Sequence, residues 1–188
     1  MELTKENFKK QFLELTEKFD IKHAFNFDEA WQTAIALRAK NSFRNKIKLL
    51  ESQIKDIPEA HTEELLQESN PVEHMFAEGC YIRKIYNPAN EIIITKIHAQ
   101  SHPFFLMEGE MSILSEDGIQ YLTAPYYGIT TPGIKRVIYT HTPCVFITVH
   151  VTDLTDPEEI ADTVTAETFE DPRITEEDMK LINKIKVQ

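Results

Sequence analysis

The sequence predicts a mostly β chain with helices on both sides (α+β): a single antiparallel barrel, an N-terminal helical arm and C-terminal helices. Three observations predict it. All five glycines fall between Gly79 and Gly133, and glycine serves the positive-φ turns of meandering β-structure while weakening helices. Before that stretch, large apolar residues recur at spacings of three and four. Within it the period drops to two, and short runs are separated by turn signals roughly every 8–12 residues.

The arm comes first. Phe8, Phe12, Leu15 and Phe19 form one helical stripe behind Thr4, a suitable N-cap. Asp28 is placed to cap a second helix carrying Trp31, Ala34 and Ile35. Phe43, Ile47, Leu50 and Ile54 repeat the spacing, with Lys and Arg opposite, until Pro58 in "DIPEA" ends the run. "HTEELLQES" reads as a short helix, although Leu65 stands where a capping box behind Thr62 needs Glu or Gln.

The strands follow. "GCYIRKIY" alternates apolar and polar residues, and "EIIITKIH" is rich in β-branched ones. "EMSILSEDGIQYLTAP" reads as two strands about an Asp-Gly turn. "PYYGITTPG" is a corner, and "KRVIYTH" and "CVFITVHVT" are strands separated by Thr142-Pro143. Six to eight antiparallel strands over about residues 74–152 are expected. Helix then returns: Asp156-Pro157 pairs a cap with a first-turn proline, and Thr175 stands before "EEDMKLINKIKV", where Met179, Ile182 and Ile185 share a stripe. The expected organisation is a helical arm over 1–73, a barrel over 74–155 and an acidic helical extension over 156–188. These helices carry more apolar positions than one small barrel covers, so a homo-oligomer is expected.

Composition bounds the function. At 41% hydrophobic and 27% charged, the 188 residues suit a soluble globular protein. No apolar run approaches the roughly 18 residues of a membrane span, and "MELTKENFKK" has no apolar signal core. Cys80 and Cys144 are too few for a disulfide framework, lack zinc-ribbon spacing and are expected to be buried free thiols in a cytosolic protein. A net charge of −11 opposes nonspecific nucleic-acid binding. From Asp153 to Asp178 Arg173 is the only base among many acids, which reads as a solvated face or a dock for a basic partner. No dinucleotide-binding, P-loop, nucleophile-elbow or zincin motif is present.

From His74 to Thr155 the chain resembles a single cupin domain, and within that superfamily the small single-domain cupin-like proteins of tailed bacteriophages. The resemblance rests on an ordered set: His74-Met75-Phe76, Gly79, Tyr81-Ile82-Arg83, Lys96-Ile97-His98, His102, Gly109 and Glu116-Asp117-Gly118. Ala124-Pro125-Tyr126, Pro132-Gly133, Lys135-Arg136 and His150-Val151-Thr152 complete it. It implies a jelly-roll barrel, in the host cytoplasm or a virion if phage-encoded, with a phage or host protein as partner. It also implies a site where three histidines and a glutamate hold a divalent metal such as iron, manganese, zinc or nickel. Here Lys96 takes the first histidine position, His98 the second, His102 the glutamate position and Arg136 that of the third histidine.

Two of those ligands are thus cations, which repel a metal. A different set remains: His98 and His102, four residues apart, converge on one face, and His150, ending the last strand, becomes a third ligand. Lys96 and Arg136 would then hold an anionic substrate. The competing reading is a polar, hydrogen-bonded interior in a barrel that serves only as scaffold. Glu108 and Glu110 flank Gly109, and one of them can face inward. His74 and Arg83 are expected to form a buried polar contact. Tyr81, Tyr126, Tyr127 and Tyr139 are expected to pack at the rim, and His23, His61 and His141 to lie at the surface. Two functions follow: a phage-type scaffold whose helical arms mediate assembly, or a small metal-dependent oxygenase, isomerase or epimerase acting on a polar anionic metabolite.

Overall fold

The computed structural model describes residues 4–18, 27–55 and 68–175. Thr4 opens α1 (Lys5–Lys18). Its Oγ1 accepts the Asn7 N–H at 3.2 Å and its carbonyl the Phe8 N–H at 3.0 Å, as an N-cap does. α2 (Phe27–Lys55) begins one residue before Asp28, so Asp28 sits in the first turn and not at the cap. Its carboxylate suits the positive helix end there and pairs with Lys5 Nζ at 2.8 Å. The two helices meet through rings: Phe8 lies 5.8 Å from Phe27 and 5.6 Å from Trp31, and Phe12 6.3 Å from Phe27. The Leu15 side chain, Phe19, Pro58, Thr62, Leu65 and the helical stripe of Met179, Ile182 and Ile185 lie outside the described residues, as does most of "HTEELLQES". No described helix is long and apolar enough to cross a membrane.

The barrel is two antiparallel sheets. One contains β1 (Val72–Ala77), β2 (Cys80–Asn87), β5 (His102–Glu108), β8 (Tyr126–Thr130) and β10 (Cys144–Val151), in the order β1-β2-β10-β5-β8. The other contains β3 (Ile92–Ile94), β6 (Glu110–Ser115), β7 (Gly118–Thr123) and β9 (Val137–Thr140), in the order β3-β9-β6-β7. This is the expected jelly-roll arrangement with more strands than expected, because long apolar runs are divided. "EIIITKIH" breaks at Thr95-Lys96: the Thr95 N–H bonds the Arg136 carbonyl at 3.0 Å, and the chain then leaves the sheet. It re-forms as β4 (Ile97–His98), paired with β11 (Thr165–Ala166). "KRVIYTH" likewise yields only the four residues of β9.

Inside, both sheets contribute to one apolar cluster: Phe104, Leu106, Cys144 and Phe146 face Met111, Ile113, Leu122 and Ile138. Cys144 is a buried free thiol, its ionisation pushed up by burial, and Cys80 is a half-buried one. The interior changes character along β10. Cys144 and Phe146 lie at the apolar end, and Thr148 and His150 continue the same inward face. β5, running the opposite way, begins with inward His102 and proceeds to Phe104 and Leu106. Apolar material therefore fills one end of the barrel and polar side chains the other.

Helices close the polar end. Ile47 of α2, Ile97 and Ala99 around β4, and Ala166, Phe169 and Ile174 of the C-terminal return form a second core. Ion pairs fix α2 against the barrel: Lys40 to Glu116 at 3.2 Å, and Lys135 to Glu51 at 2.8 Å. α3 (Pro157–Val164) is capped as expected, Asp156 Oδ1 accepting the N–H groups of Glu158 and Glu159 at 2.9 and 3.0 Å. Its Ile160 and Val164 pack against Tyr81.

Candidate functional site

Three imidazoles meet at the polar end. The His98 and His102 ring centroids are 4.7 Å apart, and those of His102 and His150 4.3 Å. Each histidine arrives by a different route: His98 on β4, held by β11; His102 at the start of β5; His150 near the end of β10. Burial pushes all three below the ordinary histidine range. His98 goes well below it, with His102, Arg136, His150 and Arg83 adding to the effect. His102 is lowered by burial and by Arg136, against the hydrogen bond it donates to the Gln100 carbonyl. His150 falls to about 4, from burial, then His102 and Arg83. All three shifts favour the neutral imidazole.

For His102 and His150, hydrogen bonds identify which nitrogen is left over. His102 Nδ1 lies 3.2 Å from the Gln100 carbonyl, which can only accept, so Nδ1 carries the proton and Nε2 the lone pair. His150 Nε2 is 3.2 Å from Thr148 Oγ1. The remaining nitrogens, His98 Nδ1, His102 Nε2 and His150 Nδ1, are buried and bonded to no described residue. A buried polar atom left without a partner costs about 1–3 kcal/mol, so three together call for a ligand or a reason.

The donor set was tested against a metal. Neutral imidazoles held through their other nitrogen are the form in which histidine ligates. Imidazoles sharing one ion at about 2.0–2.1 Å would have ring centroids roughly 4.5 Å apart at a right angle and roughly 5.2 Å apart at a tetrahedral one, so the two spacings above lie near or below the short end of that range. As the rings stand, no group of three or more His, Cys, Asp or Glu among the described residues is arranged to hold an ion, so ligation requires the rings to turn. No carboxylate joins them: Glu108 is exposed, and Glu110 accepts the Tyr121 hydroxyl at 2.6 Å.

Two guanidinium groups flank the imidazoles. Arg136 is 7% exposed, donates to Thr130 Oγ1 at 2.9 Å and lies 4.9 Å over the Phe104 ring. Arg83 stands between His74 and Thr148 in the sheet register. Its side chain shares the inward face of β2 with Tyr81, which is 3% exposed. Burial pulls both arginines down from their ordinary range.

The structure brings together His98, His102, His150 and Arg136 of the expected site. Lys96 is exposed instead. The expectation treated Lys96 and His98 as alternate residues of one strand, and the break at Thr95-Lys96 removes that relation. His74 does not bond Arg83; its Nδ1 lies 2.6 Å from the Tyr81 hydroxyl, and the Tyr81 ring stacks on His150 at 6.0 Å. Tyr81 is therefore inside, while Tyr126 and Tyr127 are exposed and the Tyr139 hydroxyl donates to Asn90 Oδ1. His141 is half-buried, its Nε2 2.8 Å from Ser112 Oγ; His23 and His61 lie outside the described residues. Arg83 was the residue missed as a site member. Its signal was parity: Tyr81, Arg83 and Ile85 occupy one face of an alternating strand.

No family model matches the chain. No curated protein matches it either. Solved structures similar to it include an RmlC-like cupin from Shewanella frigidimarina, at TM-score 0.41 and 17% identity over 49% of this chain and 81% of that one. A cupin superfamily protein from Desulfitobacterium hafniense matches at TM-score 0.39 and 10% identity, over 45% and 78%. An acetylacetone dioxygenase from Acinetobacter johnsonii matches at TM-score 0.38 and 18% identity, over 44% of this chain and 59% of that enzyme. Each of these matches covers a little less than half of this chain.

Proposed function

We propose that this chain is a cupin-like metalloprotein whose ion is held by His98, His102 and His150, serving a reaction on a small polar metabolite. The observation that carries this reading is the convergence of three neutral imidazoles, each with a buried nitrogen bonded to no described residue. Imidazole donors suit zinc, iron, nickel or copper better than magnesium or calcium, and a bound ion would supply Lewis acidity. The chain's own residues orient the rings through Gln100 and Thr148 and exclude water by burial. Arg83 and Arg136 weaken the ion's binding by repulsion. Metal analysis after incubation with zinc, nickel or ferrous ion is the test. The wild type is expected to retain about one equivalent, the ligand count of a single three-histidine centre. The double variant His98→Ala with His102→Ala is expected to fall to background with an unchanged circular-dichroism spectrum. A wild type that retains no metal sinks the reading.

A second reading has its own support. The outer face of the five-stranded sheet presents Met75, Met107, Tyr127, Ile129 and Val151, all exposed, and the α1–α2 arm carries a cluster of rings. Such surfaces suit a phage-type scaffold that assembles through its arm and sheet. Under this reading the protein elutes as a dimer or larger species by light scattering at micromolar concentration; a monomer excludes it.

A further inference from the structure

Among the described residues, the two arginines beside the imidazoles lack counter-ions. Among the described residues Arg83 makes no hydrogen bond or ion pair, although β1 and β10 enclose it on both sides. Arg136 places one N–H on Thr130 and its face on Phe104, and no carboxylate of the described residues reaches it at ion-pair distance. Each guanidinium has five N–H donors, so most are uncommitted.

The nearby acids are engaged elsewhere. Glu73 accepts from the Tyr86 hydroxyl at 2.7 Å and from Lys84 at 3.5 Å. Glu110 accepts from Tyr121, and Glu116 pairs with Lys40 and, at 3.8 Å, with Arg44. Asp117, exposed on its turn, adds only a distant attraction to Arg136. An uncompensated cation in a desolvated setting costs several kcal/mol, and an oxyanion would offset that cost. The geometry also fixes where it would sit. Arg136 donates to Thr130, which stands opposite His102 in the β5–β8 register, and Arg83 stands opposite Thr148, whose hydroxyl lies 3.2 Å from His150 Nε2, so the two guanidinium groups flank the imidazoles. Tyr81 and Thr148 line the same inward faces.

We propose that Arg83 and Arg136 form an oxyanion subsite beside the three imidazoles, fitted to a small molecule bearing a carboxylate or phosphate group. Guanidinium forks match both groups. The proposal names the substrate class of the site described above and rests on that site being a ligand pocket. It does not require the ion.

The test is calorimetric titration of chelator-treated full-length protein with inorganic phosphate and with succinate, repeated after zinc loading. Saturable binding of at least one anion to the metal-free protein is expected, and the stronger of the two identifies the group. Arg83→Gln is the decisive variant, because its guanidinium makes no hydrogen bond or ion pair with the described residues. It is expected to weaken binding roughly ten- to a hundredfold, as loss of charge-assisted hydrogen bonds does, with metal uptake unchanged or stronger. Arg83→Lys should recover part of the loss. If metal uptake fails while the anion still titrates, the metal reading falls and the subsite stands. Absence of saturable binding, binding that appears only with zinc, or an Arg83→Gln protein equal to wild type overturns the subsite.

Discussion

Gly109→Ala is expected to lower the unfolding free energy by about 3–5 kcal/mol, combining left-handed backbone strain with overpacking, a large part of what a domain this size has. Gly109 is the single residue between β5 in one sheet and β6 in the other, at φ +88°. An added Cβ would meet the Pro143 carbonyl oxygen, Cys144 Sγ at 2.7 Å and Cys144 Cα at 3.0 Å. Two of these are backbone atoms of a loop leading into the central strand β10, so no side-chain rotation relieves the overlap. Gly118→Ala is the control. It has φ +106° but nothing within 4 Å of an added Cβ, so it bears conformational strain alone, about 1 kcal/mol. Urea denaturation of the three proteins checks this. Equal midpoints for the two variants would show that contact at Gly109 contributes nothing.

Acidification of the metal-free protein is expected to cost about 2–3 kcal/mol of stability between pH 7 and pH 4.5 through His150 alone. The sign follows from the direction of the shift. His150 is held at about 4 in the fold and returns to about 6.5 when unfolded. The unfolded chain therefore binds more protons across that window, and stability falls as pH falls through it. His98, lowered by burial and then by His102, and His102, lowered by burial and by Arg136, act in the same direction. Glu116, raised by burial against Lys40 and Arg44, acts oppositely and trims the slope. Urea midpoints across the range, for wild type and His150→Gln, measure the effect. The variant should show a shallower profile, and identical slopes would refute the assignment.

The sequence made the architecture legible where local chemistry agrees with tertiary context. Glycines mark the turns at Gly79 and Gly118, Asp156-Pro157 announces α3, and alternation exposes β2 and β10. It was less legible where a strand changes partner. "EIIITKIH" has the composition of one strand, and only the pairing of β4 with β11, 67 residues away between His98 and Thr165, splits it. That split placed Lys96 outside the site. His98, His102 and His150 were readable because they are few and their inward direction follows from burial alternation in β5 and β10. Arg83 was hidden by its neighbour: the resemblance paired it with His74, but Tyr81, bulkier and on the same face, takes His74 instead. Asp28 was misplaced at the cap because helix starts depend on ±1 residue of backbone geometry that composition does not resolve.

The pairing of β4 with β11 means that one wall of the histidine cluster is supplied from beyond the barrel. The Ala99 N–H bonds the Val164 carbonyl at 2.8 Å, and His98 stands opposite Thr165. Ile160 and Val164 meanwhile brace Tyr81, whose ring lies on His150. A chain ended at Thr155, where composition turns acidic, would keep both sheets and lose the clamp on His98 and the prop beneath Tyr81. Recombination that exchanges C-terminal segments between related barrels would therefore transplant the chemistry of the interior along with the surface charge, although not one residue of the exchanged segment belongs to the cluster.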